Sequence, residues 1–367
     1  VSDKNLSWSF YNPVKVITAE GALDSLAGMV PAGDLLLVTD SWFTKSGTVS
    51  RVREILKGRS VEVYDAVLPN PELEAIDTAF TGLRDRKFSC VIALGGGSVM
   101  DTAKALAVLL ADTGGSTLDA AFRGKGKPGW SNKLFLIAVP TTAGTGSEVT
   151  PFATIWDSVT GKKFSMAGDF VFPSIALLDP ALTMELPDVI TLNTGLDSIS
   201  HALESLWNRN RTPVSAGFSI DSLRLALEAL PALIKGEKTI ELRAKMQWAS
   251  TLAGMAISQT RTAIAHSISY PVTLKLGVPH GLAAGFTLTA LIDRYLENPG
   301  NDVYESALLK NIREFLISLD MPKLVKNYGR ADDFTNLISE MYEPSRADNY
   351  LFPVDVKFFE SILAKSL

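Results

Sequence analysis

Three histidines and one cysteine are all that this chain of 367 residues carries of the two side chains most used for metal binding and covalent chemistry. With Cys90 alone, no internal disulfide can form, and a reducing cytosol is the expected compartment. Positive charge is not in excess either. Thirty-five Lys and Arg against 40 Asp and Glu leave a net charge of −5, which argues against a nucleic-acid backbone as partner. No apolar run reaches the roughly 18 to 20 residues that span a bilayer. The opening VSDKNLSWSF has no basic flank leading into an apolar stretch, so no signal peptide is expected. What is there is an ordinary globular composition, 46% hydrophobic and 20% charged, consistent with a soluble cytoplasmic protein. The length suits one to two domains with ample core.

The two halves are patterned differently. Up to about residue 185, short apolar runs bounded by Gly, Pro and Asp alternate with amphipathic stretches. Strand segments are expected at 34–40, 61–67, 90–98 (CVIALGGGS) and 134–142 (LFLIAVPTT), and helices at 49–58, 71–86 (opening on proline) and 99–111. Such alternation predicts a parallel sheet with helices on its faces. Beyond PDVITLNTG the strand pattern fades, and LDSISHALESLWN, SIDSLRLALEALPALIKG and ELRAKMQWASTLAGMAISQTRTAIAHSIS all carry helical spacing. The expected division is an α/β Rossmann-like domain over 1–186 and an all-helical domain over 187–367. The basic, Gly-rich loop 122–133 reads as a solvated connection.

CVIALGGGSVMDTAK places three glycines and a serine between a buried strand and a helix. Glycines let a backbone approach a pyrophosphate closely, and a helix N-terminus offers free N–H groups to it. The strict G-x-G-x-x-G pattern fails, because Met100 occupies its last position, and a purely structural turn has the same appearance. Two further loops follow strand ends: VTDSWF, whose Asp40 could bond a ribose hydroxyl and repel a 2′-phosphate, and the hydroxyl-rich VPTTAGTGSEVT. Three such loops at one sheet edge favour a dinucleotide, NAD over NADP.

Asp197 and His201 stand four apart in a helical stretch, on one face. His266 ends another helix candidate, and His280 lies in VPHG, a turn-like approach to the next helix. One carboxylate and three imidazoles make a borderline set suited to Fe(II) or Zn(II). Buried histidines bonded to backbone are the alternative.

At these residues the chain resembles the iron-containing (group III) alcohol dehydrogenases. The likeness runs from NPVKVITAEGALDSL through LPNPELE, ALGGGSVMDTAKALA and PTTAGTGSEVTPFATI to GLDSISHALES, AIAHSISYP and GVPHGLAAG. The resemblance implies a Rossmann-like domain joined to a helical metal domain, with the active site in the cleft between them. It implies that Asp197, His201, His266 and His280 bind Fe2+ (or Zn2+), and that Asp40, Asn70, Gly96, Gly97, Ser98, Asp101, Thr141, Thr142, Thr145 and Lys163 line an NAD site. Many members carry a further histidine four residues after the third ligand, associated with proton movement; Tyr270 stands there in this chain. A phenol with a pKa near ~10 is a poor base at neutral pH but can donate a hydrogen bond.

WNRNRTPVSAGF, ISQTRTAIAHSISYP and LGVPHGLAAGF are similar to a branch associated with phosphonate metabolism, which includes phosphonoacetaldehyde reductases. A dianionic substrate suits arginine. Arg261 and Gln259, with Phe152, are the expected substrate-side residues, and Arg209 and Arg211 are further candidates. The reaction expected from the resemblance is reversible hydride transfer between NAD(H) and a small aldehyde or primary alcohol, with the metal as Lewis acid. A homodimer is implied as well. Two other readings stay open: a lyase of the dehydroquinate synthase type, which shares NAD and a divalent metal, and a nucleotide-responsive binding protein.

Overall fold

In the computed structural model, residues 7–124, 128–297 and 303–367 are described, so Lys125, Gly126 and Lys127 of the basic loop lie outside the described residues. Among the described residues eight strands follow one another along the first half: β1 (Lys15–Thr18), β2 (Asp34–Val38), β3 (Val61–Tyr64), β4 (Phe88–Gly95), β5 (Phe135–Pro140), β6 (Phe152–Asp157), β7 (Lys162–Ala167) and β8 (Ile175–Leu178). Six of them form one sheet in the order β1-β8-β5-β4-β2-β3, every pairing parallel. The sequence FSCVIALG of β4 is almost wholly apolar because a central parallel strand is covered on both faces. Its residues divide with period two: Val91 and Ala93 pack with Leu36, Val38, Leu136 and Ala138, whereas Cys90, Ile92 and Leu94 pack with Leu35, Leu37, Ile137 and Val139. Burial of Cys90 pushes its thiol up to about 12, so it is an inert core residue.

Helices α1 (Ser41–Lys45), α2 (Thr48–Ile55), α3 (Leu73–Leu83), α4 (Gly97–Leu109) and α5 (Leu118–Phe122) accompany the sheet. The helix expected from Pro71 begins two residues later, at Leu73. The carbonyl of Pro71 accepts a bond from Trp156 N at 2.8 Å, and Glu72 forms a bridge with Trp156. Sequence periodicity also gave no sign of β1, β8 or the antiparallel hairpin β6–β7, which lies outside the main sheet. The chain passes from β2 outward to β3, then returns to the other side of β2 as β4 and continues to β5. Strand order therefore reverses between β2 and β4, the place where open α/β sheets bind ligands beyond the carboxyl ends of their strands.

The second half is helical: α6 (Asp188–Leu206), α7 (Pro213–Leu233), α8 (Ile240–Thr260), α9 (Ile264–Leu276), α10 (His280–Gly285) and α11 (Leu288–Leu296), with shorter and longer helices after them around one apolar core. The long helical stretch expected through residue 269 is interrupted. Arg261 leaves the helix at φ 63°, ψ 175°, a region nearly reserved for glycine. Side-chain amides satisfy the freed carbonyls: Asn208 Nδ2 donates to Arg261 O at 3.2 Å and Asn349 Nδ2 to Thr262 O at 2.8 Å. His266 consequently sits in the first turn of α9, not at the end of a helix.

Two compact units result. One comprises Asn12–Thr142 with Ser147–Glu185; the other comprises Leu186–Leu367, the stretch up to Tyr11 and the short piece Ala143–Gly146. Among the described residues no helix is long and apolar enough to cross a membrane.

Candidate metal centre and nucleotide cradle

Three helices of the second unit bring four side chains to one point. Asp197 and His201 lie one turn apart on α6, His266 opens α9 and His280 is the first residue of α10. The Nε2 atoms of His201, His266 and His280 lie 3.6, 3.4 and 3.6 Å from a single oxygen, Asp197 Oδ1. The rings of His201 and His266 stack with centroids 4.7 Å apart. Close approach of α10 to α6 depends on Gly281, where an added Cβ would lie 1.7 Å from the carbonyl oxygen of Asn193.

The partners on the far side of two rings fix their tautomers. His201 Nδ1 donates to the carbonyl of Gly144 at 3.3 Å. His266 Nδ1 donates to Glu204 Oε2 at 2.5 Å, and His266 N to Glu204 Oε1 at 3.2 Å. Each ring thereby turns Nε2 inward. Asp197 Oδ1 and His266 Nε2 are buried yet have no hydrogen-bond partner. Buried polar atoms are rarely left so, and a divalent cation accepted by one carboxylate oxygen and three imidazole nitrogens would satisfy both. The residues fit such an ion, and Asp197, His201 and His266 offer ligand atoms within 4.8 Å of one another.

Proton affinity differs among the members of the cluster. Burial opposes a charge on His266, but Glu204 and Asp197 outweigh it and push the imidazolium up to about 10. His201 moves the other way, chiefly through burial, with Asp197 opposing. Burial would raise the Asp197 carboxyl, yet His201, His266 and His280 together hold it well below the usual carboxylate range.

In the first unit, Asp40 follows β2, Gly96 and Gly97 follow β4, and Thr141 and Thr142 follow β5, so these expected nucleotide residues share the carboxyl edge of three adjacent strands. Helix α4 starts at Gly97 without a side-chain cap, which leaves its N–H groups for a ligand. A Cβ on Gly96 would stand 3.2 Å from Thr142 Cγ2, inside the cradle. Ser98 Oγ accepts from Asn70 N at 3.2 Å, with Asn70 at φ 59°. Asp40 caps α1 through Trp42 N at 2.8 Å. The glycine turn suits a pyrophosphate.

Asp101 is differently placed. Its oxygens accept from Ser147 Oγ at 2.8 Å and Thr154 N at 2.9 Å, and burial raises its carboxyl against the pull of Lys104. Lys104, which periodicity gives no reason to single out, donates to Ser147 Oγ at 2.8 Å, to Thr150 O at 3.0 Å and to the carbonyl of Phe152 at 2.8 Å. Lys163 Nζ lies over the Trp156 ring, 4.7 Å from its centroid. Thr145 belongs to the short piece grouped with the helical unit.

The expected substrate-side residues lie in different elements: Phe152 begins β6, Gln259 lies near the end of α8 and Arg261 follows that helix. The Gln259 amide bonds the backbone of Tyr11, accepting at 3.2 Å and donating at 2.8 Å. Since Arg261 breaks the helix, Gln259 and His266 lie on different helices, not two turns apart on one. Arg261 is exposed. Arg209 Nε donates to Tyr350 O at 2.7 Å, and Arg211 Nη1 to Leu206 O at 3.1 Å. Tyr270, one turn beyond His266, accepts from Arg346 Nε at 3.1 Å. Sequence reasoning passed over Glu204 and Arg346. Glu204 could have been found, since it lies three residues after His201 and seven after Asp197 on the same helix face.

Comparison with known proteins agrees with this geometry. A family model described as iron-containing alcohol dehydrogenase matches residues 13–180, and one described as the Fe-containing alcohol dehydrogenase family, C-terminal, matches 191–350. Long-chain-alcohol dehydrogenase 1 of Geobacillus thermodenitrificans is 35% identical over 71% of this chain and 67% of its own length. Aldehyde-alcohol dehydrogenase 2 of Entamoeba histolytica is 33% identical over 78% of this chain, which spans only 34% of that longer protein. The crystal structure of sulfoacetaldehyde reductase from Bifidobacterium kashiwanohense in complex with NAD+ superposes with a TM-score of 0.89 at 27% identity, covering 99% of both chains. With a match over each half, the chain belongs to the iron-containing alcohol dehydrogenase family.

Proposed function

We propose that this protein is an NAD(H)-linked, iron-dependent alcohol dehydrogenase that reduces a small aldehyde bearing an anionic group, with phosphonoacetaldehyde, giving 2-hydroxyethylphosphonate, as the best fit. The observation that carries the redox part is the convergence of three imidazole Nε2 atoms on Asp197 Oδ1, at 3.4 to 3.6 Å. When bound, the cation supplies Lewis acidity to a carbonyl oxygen and the nicotinamide supplies or accepts the hydride. Asp197, His201, His266 and His280 hold the ion, with Zn2+ as the alternative to Fe2+. Glu204 keeps the proton of His266 on Nδ1, so that Nε2 remains a donor of electrons. The Gly96–Gly97 turn and the open start of α4 receive the pyrophosphate, and Asp40 favours a free ribose hydroxyl over a phosphate.

Two things support the anionic substrate: the likeness of WNRNRTPVSAGF and its companion motifs to the phosphonate-associated branch, and the neighbour named for sulfoacetaldehyde, the sulfonate counterpart of phosphonoacetaldehyde. A cytoplasmic homodimer is part of the same reading. The test is NADH oxidation by iron-reconstituted protein with phosphonoacetaldehyde, acetaldehyde, butyraldehyde and lactaldehyde in parallel. We expect phosphonoacetaldehyde to lead in kcat/KM. Equal or lower kcat/KM than the neutral aldehydes would remove the anionic part of the proposal, and no NADH oxidation with any of them would remove the whole.

A further inference from the structure

Arg346 lies in the four-residue helix Pro344–Ala347 and is half-buried. Its Nε donates to Tyr270 Oη at 3.1 Å and its Nη1 to the carbonyl and hydroxyl of Ser345, each at 3.1 Å. Among the described residues Nη2 has no acceptor and no carboxylate pairs with the guanidinium. The two acids that act on it electrostatically are committed elsewhere. Glu343 accepts from the backbone and hydroxyl of Ser345, and Glu204 holds His266. A guanidinium that is partly removed from water and has no carboxylate paired with it is a favourable place for an incoming anion.

Its position is set by the metal-bearing helix. Ser267, next to His266, donates through Oγ to Met341 O at 2.5 Å and accepts from Glu343 N at 2.9 Å, which pins the segment before Arg346 to the first turn of α9. Tyr270 follows His266 by four residues, on the same face of that helix. Along the helix axis that one turn is about 5.4 Å. The charge itself is secure. Burial works against it, but Tyr270, Glu343 and Glu204 raise the Arg346 pKa further.

We infer that Arg346, braced by Tyr270, binds the tetrahedral oxyanion of the substrate and so sets the preference for anionic aldehydes. The inference rests on the substrate reading above, and it assigns to Arg346 the part that the sequence suggested for Arg261 and Gln259. The experiment measures kcat/KM for phosphonoacetaldehyde, sulfoacetaldehyde and the neutral isostere 3,3-dimethylbutyraldehyde. The proteins are wild type, Arg346→Met, Arg346→Lys and Tyr270→Phe, all iron-loaded and checked for metal content and melting temperature. Two charge-assisted bonds lost should lower the anionic-to-neutral ratio about 10- to 100-fold in Arg346→Met, mostly through KM, with partial recovery in Arg346→Lys. A larger fall with the phosphonate than the sulfonate marks the dianion as the preferred ligand, and the reverse marks the monoanion. Titration of 2-hydroxyethylphosphonate into the NAD-bound proteins by calorimetry should show the same order without turnover. A wild type with no preference for either anion overturns both the substrate reading and this inference. A wild-type preference that persists in Arg346→Met, or a loss equal on charged and neutral aldehydes, overturns the inference alone. Should Arg346→Met fail to fold, the ratio in Arg346→Lys and Tyr270→Phe decides, an unchanged ratio in both counting against it.

Discussion

Replacing Glu204 by glutamine removes the charge that holds a proton on His266 while keeping the shape of the side chain. In the metal-free wild type that proton stays bound up to about pH 10, because Glu204 and Asp197 together outweigh the burial of the ring. A cation needs the Nε2 lone pair, so binding at pH 8 must expel the proton. The competition is strongest at low pH and fades as pH rises towards 10. Each unit below that value costs about 1.4 kcal/mol of apparent binding, a factor of ten. His201 adds little to this release, since its pKa lies below the ordinary imidazole value, and Asp197 is already ionised. Zinc titrated in two buffers of different ionisation enthalpy should therefore release about one proton at pH 8, and affinity measured against a chelator should climb about tenfold per pH unit between 7.5 and 9.

In Glu204→Gln two effects oppose. The weaker hold on His266 costs roughly 10- to 100-fold in metal affinity, whereas the lost carboxylate lowers the imidazolium pKa and relieves proton competition. Affinity at a single pH is therefore a poor discriminator, and the slope is the readout. We expect the variant to release clearly less than one proton at pH 8 and to show a flatter pH dependence. A wild type that releases no proton at pH 8 would refute the reasoning, and so would a glutamine variant with the wild-type slope.

Gly281→Ala should push α10 away from α6, since its Cβ would fall 1.7 Å from Asn193 O. An overpacking cost of about 1 to 3 kcal/mol should lower the melting temperature by several degrees and weaken zinc binding through His280; a wild-type melt with wild-type affinity would contradict the packing argument. Asp40→Ser keeps an N-cap for α1 but removes the carboxylate, so the ratio of kcat/KM with NADPH to that with NADH should rise about tenfold, a differential interaction near 1.4 kcal/mol. An unchanged ratio would mean that Asp40 serves only as a cap.

Much of the frame was visible in local pattern. The continuous apolar run of β4, the glycine turn after it and the open start of α4 are consecutive in sequence, so period and composition suffice to place them. The hairpin β6–β7 and the short strands β1 and β8 were not, because four to six residues give too little periodicity to separate a strand from a loop. The break at Arg261 was hidden for another reason. QTRTA contains no glycine or proline to mark a break, and the groups that satisfy the freed carbonyls, Asn208 and Asn349, are distant in the chain.

The same distinction separates the two layers of the candidate metal centre. With three histidines in the whole chain, each one is informative, and Asp197 gains meaning from standing one turn before His201. Glu204 and Arg346 come from pools of 40 acidic and 35 basic residues, where a further charge is by default a solvated face. Only packing changes that default. Glu204 is fully buried against a histidine, and Arg346 is drawn in beside a phenol without a carboxylate to answer it. Scarcity makes a candidate ligand readable from sequence, whereas the groups proposed to tune that ligand and select the substrate belong to common types and become readable only once their packing is seen.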